Sequence, residues 1–228
     1  PLMMYNAMFP TVTRYTYKGI IWYQGCSNVG SHTTYAQRLA TMVAHWREQL
    51  ALGEIPFYYV EIAPYDYDSE AQNEMSAYLR EAQYKAQSLI PNSKMISTND
   101  LAEPYERFNI HPRRKAEVGQ RLSYVALNKT YGMKQICCEG PTYTGDFTVE
   151  GNEVFLGFNN LDMGICRNYQ LEGFEVAGED RIFHPADSVW IRWQTNHAVV
   201  SSKKVPKPVA VRYCFRDFQI GNFIGGNE

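Results

Sequence analysis

The sequence predicts an α/β fold with a parallel sheet, followed by an antiparallel β-rich, sandwich-like region. Three observations carry this. Ile20-Ile21-Trp22-Tyr23 is an unbroken apolar run that stops at Gln24-Gly25, as a strand buried on both faces does. Up to Gly132 such runs alternate with stretches of helical period, the order of a βα protein. After Gly140 the helical period gives way to short alternating runs separated by Asn, Gly, Asp and Pro.

Each element has its own justification. Residues 1–17 read as a connection, since Pro1, Asn6 and Pro10 interrupt short apolar pieces. The strand Gly19–Gln24 is followed by a polar loop, Cys26 to His32. A helix capped by Thr33 or Thr34 then shows Tyr35, Leu39, Met42, Val43, Trp46 and Leu50 on one face, and Gly53 ends it. Pro56–Pro64 is a second buried strand. Asp66–Ser76 is a polar surface loop in which Asp66, Asp68 and Glu70 form a solvated acidic cluster. Leu79, Ala82, Ala86, Leu89 and Ile90 mark a helix, and Met95–Thr98 a third strand. A loop from Leu101 to His111 leads to a helix with Pro112 in its first turn and Val118, Leu122, Val125 and Ala126 inward. Beyond it, Phe147–Val149, Val154–Phe158, Phe174–Val176, Ser188–Trp193, Ala198–Val200 and Val209–Phe215 are the strands of the sandwich. The domain border is placed near Glu139, giving 1–138 and 139–228. Three strands are few for a doubly wound sheet, and the chain opens at Pro1 in mid-pattern. The first strands are therefore expected upstream of it, and the Gly-rich end suggests truncation there too.

Composition excludes several classes. The 228 residues hold 22 Lys+Arg and 24 Asp+Glu, a net charge of −2 without a basic run, so nucleic acid and an anionic membrane surface are not expected partners. No apolar stretch reaches the length of a membrane span. The 17 Tyr and 4 Trp suit a β-rich core and also suit sugar binding. The five cysteines show neither metal spacing nor a paired framework, and no phosphate loop or dinucleotide fingerprint is present. No cofactor and no metal are expected.

The chemistry gathers in two loops. In the first, Gln24 can donate from its side-chain amide and the backbone N–H groups near Gly25 can add to it, which together suits a developing oxyanion. Cys26 shares that loop with Ser27 and Asn28; a thiol beside a histidine can act as nucleophile, although a cysteine most often packs as a small hydrophobe. No Gly-x-Ser-x-Gly elbow surrounds Ser27. In the second loop His111 follows the third strand and precedes a helix, the place for a general base on the sheet edge that carries the Gln24 loop. Asn109, two residues earlier, can orient an imidazole without supplying charge. His32, His45, His184 and His197 read as structural or surface residues.

Tyr5-Asn6-Ala7-Met8, Lys18-Gly19-Ile20-Ile21-Trp22-Tyr23-Gln24-Gly25-Cys26-Ser27-Asn28 and Ile110-His111-Pro112-Arg113-Arg114-Lys115 together resemble the sialate O-acetylesterases, esterases of the SGNH-hydrolase type. Trp46-Arg47, Pro56-Phe57-Tyr58, Gly173–Gly178 and Pro208–Tyr213 extend the likeness over essentially the whole chain. The resemblance implies a three-layer SGNH-type α/β domain with β-rich accessory structure. It implies removal of acetyl groups from sugar hydroxyls, typically of O-acetylated sialic acid, by a serine–histidine pair without metal. His111 matches the family's catalytic histidine, Gln24 its Gln-Gly amide, Gly25 the glycine and Asn28 the closing asparagine. The family's Gly-Gln-Ser-Asn nucleophile block is absent from these residues, Cys26 stands where the family usually has Glu, and Asn109 where it often has Asp. Two readings follow. One is an acetylesterase whose serine lies outside these residues, in an exported bacterial protein, periplasmic or secreted. The other is an esterase-like scaffold that binds an acetylated glycan without turnover. Oligomeric state is not legible.

Overall fold

A computed structural model describes residues 3–67, 74–161, 164–165 and 170–225. By contact the chain separates into two compact units, residues 1–62 with 78–97, and residues 63–77 with 98–228. The change from helical to strand structure falls between Thr130 and Thr142, either side of Glu139.

The first unit holds a three-stranded parallel sheet in the order β1 (Ile20–Tyr23), β2 (Phe57–Val60), β3 (Ser93–Ile96), with Ile20 opposite Phe57 and Phe57 opposite Ser93. The central strand meets the expectation of burial on both faces: Phe57, Tyr58, Tyr59 and Val60 are all buried. The β1 strand does not. Its burial alternates, with Ile21 65% and Tyr23 38% exposed, while Trp22 packs edge-on to Trp46 at 5.3 Å. An apolar run alone does not distinguish a two-sided strand from a one-sided one, and here helix α2 (His32–Leu50) covers the Trp22 face.

Helix α2 buries Tyr35, Leu39, Val43 and Leu50. Burial of each such side chain contributes about 1.5–3 kcal/mol. It begins at His32, just ahead of the expected Thr caps, and ends at Ala51, whose positive φ stops the helix before Gly53 is reached. Residues 3–12 are a helix, α1 (Met3–Val12), where a connection was expected. Tertiary packing outweighs the interrupting Pro10: Tyr5 and Phe9 stack at 5.2 Å, Phe9 stacks on Trp46 at 5.2 Å, and the Tyr5 hydroxyl meets His45 Nε2 at 2.7 Å. Helix α3 (Met75–Ala86) supplies Leu79, Ala82 and Ala86 to the interior.

In the second unit, helix α4 (Lys115–Val125) runs into a π turn at Ala126–Thr130. It starts three residues later than Pro112 suggested, because the Arg113 N–H is drawn to the buried Glu106 carboxylate at 2.9 Å. The remaining strands are β4 (Thr142–Glu150), β5 (Glu153–Asn159), β6 (Phe174–Ala177), β7 (Phe183–Pro185), β8 (Ser188–Arg192), β9 (His197–Ser201) and β10 (Ala210–Tyr213). All pair antiparallel, in sheets ordered β4-β5-β9-β8 and β10-β6-β7. Val154, Leu156, Ala198 and Val200 from the first sheet share one core with Phe174 and Val176 from the second. Only β7 lay outside the sequence reading; with three residues it is too short to show a period. A buried network also ties this unit: Glu175 takes Arg212 Nε at 2.8 Å and pairs with Arg216, while the Asp217 carboxylate accepts the Ser76 N–H at 2.7 Å.

Candidate active site

The loop that leaves β1 opens as a 3-10 turn, Cys26–Ser31, with the Asn28 N–H donating to Gly25 O at 2.7 Å. The Gln24 side chain is held at both ends. Its Nε2 donates to Asn28 Oδ1 at 2.6 Å, and its Oε1 lies 3.3 Å from the Tyr35 hydroxyl. Its main-chain carbonyl accepts from the same hydroxyl at 3.2 Å and from Gln83 Nε2 at 3.2 Å. An amide with both ends engaged has a fixed plane, and one of its two Nε2 hydrogens remains to donate elsewhere.

Gly25 has φ +148°, and a β-carbon there would stand 2.8 Å from Ile62 Cγ2 and 3.2 Å from Gln83 Nε2. Only glycine fits so close an approach. Below the loop, the buried Glu61 accepts from Ser97 Oγ at 2.7 Å and lies 4.0 Å from Arg80 Nε. Burial, then the neighbouring Cys26 and Glu61, push the Tyr23 phenol up to about 12. Cys26 is half-buried and, with Cys137, Cys138 and Cys214, is in no disulfide among the described residues; Cys166 lies outside them.

The His111 loop belongs to the second unit. Its organiser is Glu106, 1% exposed, whose carboxylate accepts the Glu103 N–H at 3.0 Å and the Arg113 N–H at 2.9 Å. One buried side chain thereby brackets residues 103–113. A second fastening is the Asp66 carboxylate on Arg107 Nε at 2.6 Å, backed by the Asp66 N–H on Arg107 O at 2.9 Å. Asp66 is thus a buried anchor and not part of a solvated acidic cluster; Asp68 and Glu70 lie outside the described residues. Pro112 is buried while the His111 side chain is exposed. Asn109 Oδ1 accepts the main-chain N–H of His111 at 3.0 Å, a contact that shapes the backbone and not the imidazole. Asp100 then receives Arg121 in a bidentate pair at 2.8 and 2.6 Å, fixing the inner side of α4.

Three of the other histidines are engaged elsewhere: His32 Nδ1 with Val29 O at 3.3 Å, His45 with Tyr5, and His197 Nε2 with Asp146 at 2.9 Å.

The family model of carbohydrate esterases, sialic acid-specific acetylesterases, matches residues 3–128, more than half of the chain. The chain belongs to this family. Gln24, Gly25, Cys26, Asn28, Asn109 and His111 all fall within the matched residues. The sialate O-acetylesterases of Homo sapiens and Pongo abelii are each 31% identical over 153 residues, covering 61% of this chain and 29% of theirs. That of Rattus norvegicus is 29% identical over 153 residues. A carbohydrate acetylesterase from Xanthomonas citri superposes with a TM-score of 0.85 at 28% identity, covering 98% of this chain and 51% of that one. The chain thus spans under a third of the length of the curated relatives it matches, and about half of the solved esterase chain.

Gln24 and His111 stand in motifs of the sequence, but the side chains that hold their loops do not: Tyr35 and Gln83 fall in stretches of helical period and Glu106 in a loop. The signal for Gln83 was present: it is the one polar position in the stripe Leu79, Ala82, Gln83, Ala86, where an uncompensated amide is costly. For Glu106 the signal was Glu103-Pro104-Tyr105-Glu106, the spacing of a reciprocal cap.

Proposed function

We propose that this chain is the histidine-bearing portion of a carbohydrate O-acetylesterase acting on acetyl esters of sugar hydroxyls, with O-acetylated sialic acid as substrate. His111 serves as general base for a serine supplied from outside these residues. Gln24 and the Gly25 N–H hold the oxyanion. Cys26 and Asn28 line the same loop, and Asn109 positions the backbone that carries His111. The reaction is acyl transfer: the serine oxygen attacks the acetyl carbonyl as His111 takes its proton, the sugar alkoxide leaves with that proton, and water repeats the sequence on the acyl-enzyme.

The observation that supports this best is the doubly held Gln24 amide. A donor whose plane is fixed before substrate arrives needs no reorganisation when charge develops, which is the condition for oxyanion stabilisation. No helix among the described residues is long and apolar enough to cross a membrane, and an exported, periplasmic or secreted, setting follows from the substrate class.

The test is hydrolysis of O-acetylated sialic acid by the full-length natural protein that contains these residues. His111→Ala is expected to lower turnover by about 10²–10⁴; full turnover in that variant would remove His111 from the role. A second reading, a glycan-binding protein without turnover, draws on the contact of Asn109, which serves backbone and not imidazole. Saturable calorimetric binding of the acetylated sugar with no acetate released would favour it.

A further inference from the structure

We propose that Gln83 is the positioning residue that aims the Gly25 N–H at the developing oxyanion, with Tyr35 as its second clamp. This rests on the esterase reading above and adds to it a residue on another element. Gln83 is wholly buried on α3, in a stripe that is otherwise apolar. Burying an amide there is unfavourable unless every polar atom is satisfied. Gln83 satisfies them on two strand ends at once. Its Oε1 accepts the Ile62 N–H at 2.9 Å, and its Nε2 donates to Val60 O at 3.4 Å and to Gln24 O at 3.2 Å. Its own carbonyl accepts the Tyr59 hydroxyl at 2.6 Å, which fixes the helix turn beneath it.

The consequence follows from peptide geometry. Gln24 C=O and Gly25 N–H belong to one planar peptide unit and point in opposite directions. Two donors, Gln83 Nε2 and the Tyr35 hydroxyl, converge on the carbonyl. Holding that oxygen therefore sets where the Gly25 N–H points, away from α3. A β-carbon at position 25 would stand 2.8 Å from Ile62 Cγ2 and 3.2 Å from the same Gln83 Nε2, so the glycine lets the loop lie close against both. An apolar residue at position 83 would pack on the helix stripe but remove one of the two clamps on the peptide unit.

The test uses Gln83→Met, Gln83→Glu and Tyr35→Phe in the full-length natural protein, with p-nitrophenyl acetate and an O-acetylated sugar as substrates. Gln83→Met is near the native volume and keeps none of the side-chain hydrogen bonds, while the main-chain carbonyl still accepts from Tyr59. Gln83→Glu keeps the acceptor for Ile62 and loses the donor to Gln24 O. Both are expected to lower kcat by roughly tenfold to a hundredfold with KM within about twofold, since the donor acts on charge present only in the transition state. Amide exchange at residues 25–28 is expected to quicken by about tenfold while β2 amides keep their protection. Unchanged kcat in a folded Gln83→Met variant, a loss carried by KM, or unaltered exchange at residues 25–28 would overturn the proposal. Should Gln83→Met fail to fold, Tyr35→Phe decides by the same readouts. A wild-type protein that releases no acetate would overturn the esterase reading; the exchange arm would still decide whether Gln83 sets the loop.

Discussion

The loop after β1 and the loop that carries His111 are built by opposite means. In the first, the side chain proposed to hold the oxyanion is itself immobilised: Gln24 is held through its Nε2, its Oε1 and its carbonyl by three residues from the same unit. In the second, the fastenings found among the described residues reach the main chain and Arg107, not the imidazole. Glu106, Asp66 and Asn109 all bond backbone groups or the flanking Arg107, and the imidazole is left exposed. The difference matches the two chemical tasks proposed for them. A group that stabilises charge works best when it cannot move. A group that takes a proton from one atom and returns it to another needs a hinge that is firm and a ring that can turn.

The comparison breaks most readily at Glu106. Glu106→Ala removes the acceptor of two N–H groups and leaves both in a buried place, with an expected loss of about 3 kcal/mol in the free energy of unfolding, read from urea melts. Loss of less than about 1 kcal/mol would mean that the bracket is not what holds residues 103–113. The corresponding insult to the first loop is Gly25→Ala. With φ +148° and Ile62 Cγ2 at 2.8 Å from the added carbon, the change is expected to cost about 2–3 kcal/mol and to raise exchange in the Cys26–Ser31 turn.

The two loops also show how far the sequence could be read. The parallel strands and the sandwich were legible because period and turn residues report local structure, and Gln24 and His111 stand out as candidates because they sit in motifs on loops that follow strands. Gly25 could be seen as a turn residue, but the reasons it must be glycine are its φ of +148° and the approach of Ile62 and Gln83, both distant along the chain. Asp66 reads as surface charge, because nothing local says that a carboxylate will be buried against Arg107 from another segment. The α1 helix was hidden for the same reason: Tyr5 and Phe9 are helical only because His45 and Trp46 are there to receive them. Long-range compensation is the part that periodicity does not carry.

A smaller effect sharpens the claim that Asn109 serves the backbone. Asn109→Ala removes one hydrogen bond at a half-buried site, and its expected cost is about 0.5–1.5 kcal/mol. Asn109→Asp retains the acceptor and is expected to melt within about 0.5 kcal/mol of the native protein. If Asn109→Asp were as damaging as the alanine change, the amide nitrogen, and not Oδ1, would be the working atom.

The smallest effect concerns the base of the first loop, and it appears only in alkali. A tyrosine in an unfolded chain ionises near pH 10. Folded, Tyr23 holds its proton up to about 12, chiefly because burial disfavours the phenolate and because Cys26 and Glu61 would repel it. Between those two values the unfolded chain has released a proton that the folded protein still binds. Stability therefore falls with rising pH across that interval. The contribution is complete below pH 10 and is lost on approach to 12. Tyr23 retains 38% of its surface, so solvent screens the effect and the slope is shallow. Tyr35, Tyr59 and Tyr213 shift in the same direction through burial, and they steepen the common decline. Tyr23→Phe removes one titrating group at the foot of the Gln24 loop and is expected to flatten the alkaline limb of the stability curve while leaving the neutral region near the native value. A limb of unchanged slope in that variant would place the origin of the decline in the other three rings, and with it the burial of the loop's base would lose its energetic consequence.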